Sequence, residues 1–102
     1  MLAPGAAYTG VVVFKWDPKK AAANVRKHGI DFHEAATVLG DSLSTTFPDD
    51  VHSSYESRFV TIGRSGRGRV LVVVHAEQGE YPRIISARRA TRSEQKFYEE
   101  GQ

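Results

Sequence analysis

RVLVVVHA, residues 69–76, decides the fold. Its apolar run is unbroken from Val70 to Val74 and rich in β-branched valine. A strand with one wet face alternates polar and apolar residues, whereas one without alternation is covered on both sides. The stretch therefore predicts a central strand, with packed layers on both faces of its sheet. Upstream, the loop SGRG (65–68) joins it to SRFVTIG (57–63). There the alternation puts Arg58, Val60, Ile62 and Arg64 on one face and Phe59 and Thr61 on the other. Downstream, Gln78-Gly79 turns the chain into YPRIISAR (81–88), where Pro82 is tolerable because it sits near the strand's beginning. Further upstream LSTTF (43–47) ends at the turn signal Pro48-Asp49-Asp50. The second half of the chain reads as an antiparallel meander.

Helix punctuation frames this sheet. VVVFKW (11–16) has strand composition, after which Asp17 is an N-cap with Pro18 at the first helical position. That helix should run to Lys27 or His28, with Gly29 supplying a left-handed end. Asp31 and Glu34 are spaced as a capping box ahead of a second short helix, whose apolar face is Phe32, Ala35, Ala36 and Leu39. Thr91 and Glu94 repeat the spacing, so a last helix should span about Arg92 to Glu100. The expected class is α+β: an N-terminal strand, two short helices, an antiparallel meander sheet and a C-terminal helix. Residues 11–102 form one domain in this reading, preceded by a disordered arm over residues 1–10.

At 102 residues the chain suits one domain that needs no staples. It has no cysteine, which removes disulfides, thiolate zinc sites and thiol catalysis, and which fits a reducing cytosol. The opening MLAPGAAYTG is not read as a signal peptide, and no stretch reaches membrane-spanning length, so a cytoplasmic protein is expected. Charge is unevenly distributed. Residues 1–56 hold five Lys/Arg against seven Asp/Glu, net −2, while residues 57–102 hold nine against five, net +4. The basic half is arginine-rich, and the planar guanidinium fork suits phosphate, so this half is the expected face for a nucleic-acid backbone or an acidic protein.

Arg88, Arg89 and Arg92 cluster where the last strand enters the last helix. Cations are unfavourable at a helix N-terminus unless an anion visits. Two readings stand: a phosphate held by side chains and helix N–H groups together, or solvated ion pairs with Glu94, Glu99 or Glu100. RSGRGR (64–69) places Arg64, Arg67 and Arg69 around glycines that either admit a ligand or simply make a hairpin. His28, after Lys27 at a helix C-terminus, is a cap or a proton carrier. His75 ends the central strand and could face core or cleft. Tyr98 lies four residues beyond Glu94 on one helix face, as a packing residue or as part of the arginine surface. No HExxH, paired-His spacing or carboxylate cluster suggests a metal, and none is expected, nor any cofactor. In HSSYES (52–57) serines lie beside His52, but the orienting third group and oxyanion site that a serine nucleophile requires are not something spacing shows.

Together the segments FKWDPKKAAANVRKHGIDFHEAATVLGD, SRFVTIGRSGRGRVLVVVHAE and RIISARRATRSEQKFYEEG resemble the BrnT toxins of bacterial type II toxin–antitoxin systems over about residues 12–101. The telling pieces are Trp16-Asp17-Pro18, Asn24 with Lys27-His28-Gly29, Ile62-Gly63-Arg64, and Ile85-Ser86-Ala87-Arg88 with Ala90, Thr91, Glu94, Tyr98 and Glu99. The resemblance implies a RelE-like fold and a metal-independent ribonuclease that arrests translation. It also implies a BrnA-like antitoxin whose ribbon-helix-helix part binds operator DNA, in a complex holding a toxin dimer. Carried over residue by residue, it implies Arg64 and Arg88 as transition-state contacts and Lys27, His28 and Tyr98 as candidates for positioning or proton transfer. Arg67, Arg69, Arg89 and Arg92 would contact the RNA. Two features depart from the pattern: Lys15, where family members often carry an acidic residue, and the leading arm. The alternative from another class is a non-catalytic binding module acting as a co-repressor.

Overall fold

The computed structural model describes residues 6–9, 12–53, 56–77 and 81–101. Six strands form one mixed sheet: β1 (Ala6–Thr9), β2 (Val12–Lys15), β3 (Thr45–Pro48), β4 (Arg58–Arg64), β5 (Val70–Ala76) and β6 (Arg83–Arg89), in the order β1-β2-β6-β5-β4-β3. Three helices, α1 (Pro18–His28), α2 (Phe32–Val38) and α3 (Arg92–Glu100), pack on it. Strands β3 to β6 make the expected antiparallel meander. The turn read at Gln78-Gly79 lies outside the described residues.

β5 sits inside the sheet, and the two sides of its apolar run feed two separate cores. Leu71 and Val73 join Phe14, Trp16, Ile30, Phe32, Ala35, Ala36, Val38, Ile84 and Ala87 under α1 and α2. Val70 and Val72 join Ile62 and Tyr98 under α3. The absence of alternation in residues 70–74 thus has its physical cause: helices cover both faces.

Capping chemistry sets the helix limits. Asp17 accepts a hydrogen bond from the Lys19 N–H, Pro18 opens α1, and Gly29 closes it at φ 72°. At α3 the capping box is complete, the Thr91 side chain taking the Glu94 N–H and the Glu94 carboxylate taking the Thr91 N–H. At α2 only half of the expected box forms. Asp31 caps the Glu34 N–H, but the Glu34 side chain turns away, into the interior. The reason is a stronger partner, Arg69, which sequence spacing alone does not bring near.

Two N-terminal pairings go beyond the sequence reading. Ala6–Thr9, expected within a disordered arm, pair antiparallel with β2, while residues 1–5 and 10 lie outside the described residues. β2 itself joins β6 in parallel, with Lys15 opposite Arg83. The chain then enters α1, which climbs alongside β6 until Asn24 reaches Ala87. There the buried carboxamide accepts from the Ala87 N–H at 3.1 Å and donates to the Ala87 carbonyl at 2.8 Å and the Ile30 carbonyl at 2.9 Å. Asn24 thereby takes the place of a strand neighbour, and it fixes the direction in which α1 delivers its last turn.

Candidate nucleic-acid interface

One end of the sheet collects six arginines. Arg64 ends β4, Arg67 and Arg69 lie in the hairpin to β5, Arg88 and Arg89 end β6, and Arg92 opens α3. Arg64 pairs across to Val70, and the Ala90 N–H donates to the Val70 carbonyl at 2.9 Å, so these termini are level with one another. Because α1 runs with β6 past Ala87, its final residues Lys27 and His28 head toward the same end, in the layer of α1 and α2. At the opposite end Arg58 and Arg83 share Glu56, at 3.5 and 2.6 Å.

The arginines are not equivalent. Arg69 is committed to Glu34: its Nε donates to Oε2 at 2.9 Å and its Nη2 to Oε1. The Ser65 hydroxyl adds a third hydrogen bond at 2.7 Å. The Arg69 hydrogen bonds hold the Glu34 carboxyl below its usual range against the opposing effect of burial. This clasp fastens the hairpin to α2, and it engages the guanidinium of Arg69, one of the expected RNA contacts, with a carboxylate. Arg67 meets Glu34 only at 3.8 Å and leaves 68% of its side chain exposed. Arg89 and Arg92 are exposed as well.

Arg88 and Arg64 lie on the α3 side of the sheet, with β5 between them: Val72 is opposite Arg88 and Ile62, and both belong to the core under α3. Each is held by a residue of α3. Arg88 donates Nη1 and Nη2 to the two Glu94 oxygens, at 2.7 and 2.8 Å. The hydrogen bonds from Arg88 pull the Glu94 pKa down to about 2. Of the two readings of the strand–helix junction, the ion pair is the one present for Arg88. Arg64 lies over the Tyr98 ring, 5.7 Å from its centroid, and donates Nη1 to the Gly68 carbonyl at 3.0 Å. The i, i+4 spacing of Glu94 and Tyr98 is what lets one short helix hold both.

Tyr98 is buried, and its hydroxyl donates to Asp41 Oδ2 at 2.7 Å. That hydrogen bond, with burial and the carboxylate charge, raises the phenol pKa. The geometry makes Tyr98 the anchor of α3, its proton already engaged. Asp41, at the exit of α2, escaped the sequence reading because it resembles any loop aspartate. The same Oδ2 also accepts the Arg64 N–H at 2.8 Å, and Oδ1 accepts the Leu43 N–H at 3.0 Å. Burial raises its pKa, but the hydrogen bonds from Arg64, Tyr98 and Leu43 outweigh burial and hold it below the usual carboxylate range.

The other candidates have structural settings. His75 is buried between Thr61, 2.8 Å from Nε2, and Glu77, 3.1 Å from Nδ1, and it stacks on Phe59. Burial lowers its pKa. His33 packs edge-on against Trp16, with centroids 5.0 Å apart. No group of three His, Cys, Asp or Glu side chains able to hold a metal occurs among the described residues. No helix there is long and apolar enough to cross a membrane.

A family model described as "Ribonuclease toxin, BrnT, of type II toxin-antitoxin system" matches residues 16–94. The chain is similar to the crystal structure of the Brucella abortus ribonuclease toxin BrnT, with a TM-score of 0.59 and 28% sequence identity, over 76% of this chain and 94% of that one. No curated protein sequence matches it.

Proposed function

The chain belongs to the BrnT family of ribonuclease toxins of type II toxin–antitoxin systems, and from that premise we propose that it cleaves RNA at the arginine-bearing end of its sheet. The observation that carries this is the convergence there of β4, β5, β6, the start of α3 and the last turn of α1. The proposed reaction is RelE-like and metal-independent. The RNA 2′-hydroxyl attacks the adjacent phosphorus, the bond to the 5′-oxygen breaks, and a cyclic phosphate and a free 5′-hydroxyl result. The nucleophile resides in the substrate, so the protein's part is to position the phosphate, stabilise its developing charge and move protons.

Arg64 and Arg88 are the proposed transition-state contacts, each pre-oriented by α3. Lys27 and His28 are proposed for proton transfer or positioning, and Arg67, Arg89 and Arg92 for the RNA backbone. A BrnA-like antitoxin with a ribbon-helix-helix part would cover this basic surface and link a toxin dimer to operator DNA in the cytoplasm. The second reading, a non-catalytic co-repressor module, draws on the Arg88–Glu94 pair, which leaves that fork already occupied by a carboxylate.

The test is to incubate antitoxin-free protein with end-labelled RNA in EDTA, with and without ribosomes, beside the Arg88→Ala and Arg64→Ala variants. Fragments ending in cyclic phosphate, lost with the variants, are expected. No cleavage in any condition favours the binding module. Undiminished cleavage by both variants shows that the site is wrong.

A further inference from the structure

We infer that Asp41 is a positioning residue for the proposed cleavage, setting Arg64 and Tyr98 relative to each other through one carboxylate oxygen. The inference rests on the ribonuclease reading above. Asp41 Oδ2 receives two donors from different elements, the Arg64 N–H at the end of β4 and the Tyr98 hydroxyl on α3. A single acceptor atom thus fixes the distance between the backbone that carries the arginine and the ring over which its guanidinium lies.

The surroundings are built for this junction. Oδ1 is tied to the Leu43 N–H, and the Asp41 N–H donates to the Val38 carbonyl at 3.0 Å, so the carboxylate has little freedom to turn. Gly63 lets β4 come this close: a Cβ there would stand 3.2 Å from Asp41 Oδ2 and 2.9 Å from the Ser44 Cβ. With Nη1 on the Gly68 carbonyl, a hydrogen bond to the Tyr98 side chain and Cζ over the Tyr98 ring, the five-donor guanidinium of Arg64 still has N–H groups to offer an oxyanion. Asp41 touches no reacting atom in this arrangement. It acts by holding the arginine where charge develops, and displacements of about 1 Å at such positions cost on the order of a hundredfold in rate.

The experiment compares parent, Asp41→Asn, Tyr98→Phe, their double variant and Arg64→Ala in steady-state cleavage of a short end-labelled RNA, with the folded fraction of each measured by circular dichroism. Per folded molecule, Asp41→Asn and Tyr98→Phe are each expected to lower kcat about tenfold or more while KM stays within about twofold. The double variant should be no worse than Asp41→Asn alone, because the hydrogen bond to Asp41 that Tyr98→Phe removes is one of those the Asp41 carboxylate makes. The salt dependence of RNA binding should be unchanged in these three, whereas Arg64→Ala flattens it by about one unit in log–log slope. A folded Asp41→Asn with parental kcat, or additive losses in the double variant, overturns the inference while leaving the ribonuclease reading standing. Parental cleavage by Arg64→Ala overturns the inference and the role given to Arg64 while the ribonuclease reading stands, whereas no cleavage by the parent protein removes that reading. Should Asp41→Asn fail to fold, Tyr98→Phe alone decides: parental kcat overturns the inference, a selective kcat loss supports it.

Discussion

Glu94 grips Arg88 with both carboxylate oxygens while its Oε1 also takes the Thr91 N–H at 2.8 Å. One side chain therefore closes the capping box of α3 and fixes the arginine that ends β6.

The pKa of Glu94 is lowered from 4.5 to about 2, chiefly by the Arg88 hydrogen bonds. A depressed carboxyl pKa stabilises the fold above its unfolded value and loses that contribution as pH falls through the folded one. Glu94→Gln should cost about 1 kcal/mol at neutral pH, since the pair is partly exposed and screened. Urea titrations should show parent and variant converging between about pH 4.5 and 2.

Glu34 keeps only 2% of its side chain exposed, against 26% for Arg69. Arg69→Ala leaves the Glu34 carboxylate buried without its main partner and should lower the unfolding temperature most. Glu34→Ala, which frees the more exposed Arg69, should lower it less, and an apolar pair such as Glu34→Leu with Arg69→Met should recover much of the loss. Thermal unfolding of the three variants checks this.

Arg67 and Arg69 are two residues apart but should behave oppositely with RNA. Arg67→Ala is expected to flatten the salt dependence of binding by about one unit. The milder Arg69→Met, in the Glu34→Leu background, should leave the slope unchanged. Filter binding across salt concentrations distinguishes them.

Asn24→Ala would leave the Ala87 N–H and carbonyl and the Ile30 carbonyl without their partner. Each unsatisfied buried group costs about 1–3 kcal/mol. The sharper readout is native-state hydrogen exchange, where protection of the Ala87 amide should collapse.

What was legible in the sequence follows the range of the forces involved. Asp17, Gly29 and Thr91 act on their own turns, and the reading placed α1 and α3 within a residue. The chain run at 70–74 carried its own statement about burial on both faces. Glu34 misled because its spacing matched a local motif while its partner lay in a distant hairpin, joined only by the tertiary fold. The parallel contact of β2 with β6 and the pairing of β1 left no local mark for the same reason. At the site, the arginine junction was visible as a charge at the wrong end of a helix, and the Glu94–Tyr98 spacing as a shared face. Asp41 was not, because its meaning comes from two residues 23 and 57 positions away.

The division of β5 between two cores has a further consequence for cooperativity. Among the described residues, the core under α1 and α2 contains eleven buried residues and the one under α3 contains four, with Tyr98 the single buried residue of α3. From this imbalance α3 is expected to open below the free energy of global unfolding, and native-state hydrogen exchange of its amides is the check. Each excursion would release Arg88 from its carboxylate and lift Arg64 from its aromatic floor at once. With such opening, the electrostatic character of that end of the molecule would follow a local folding equilibrium, and a ligand preferring either state would shift it.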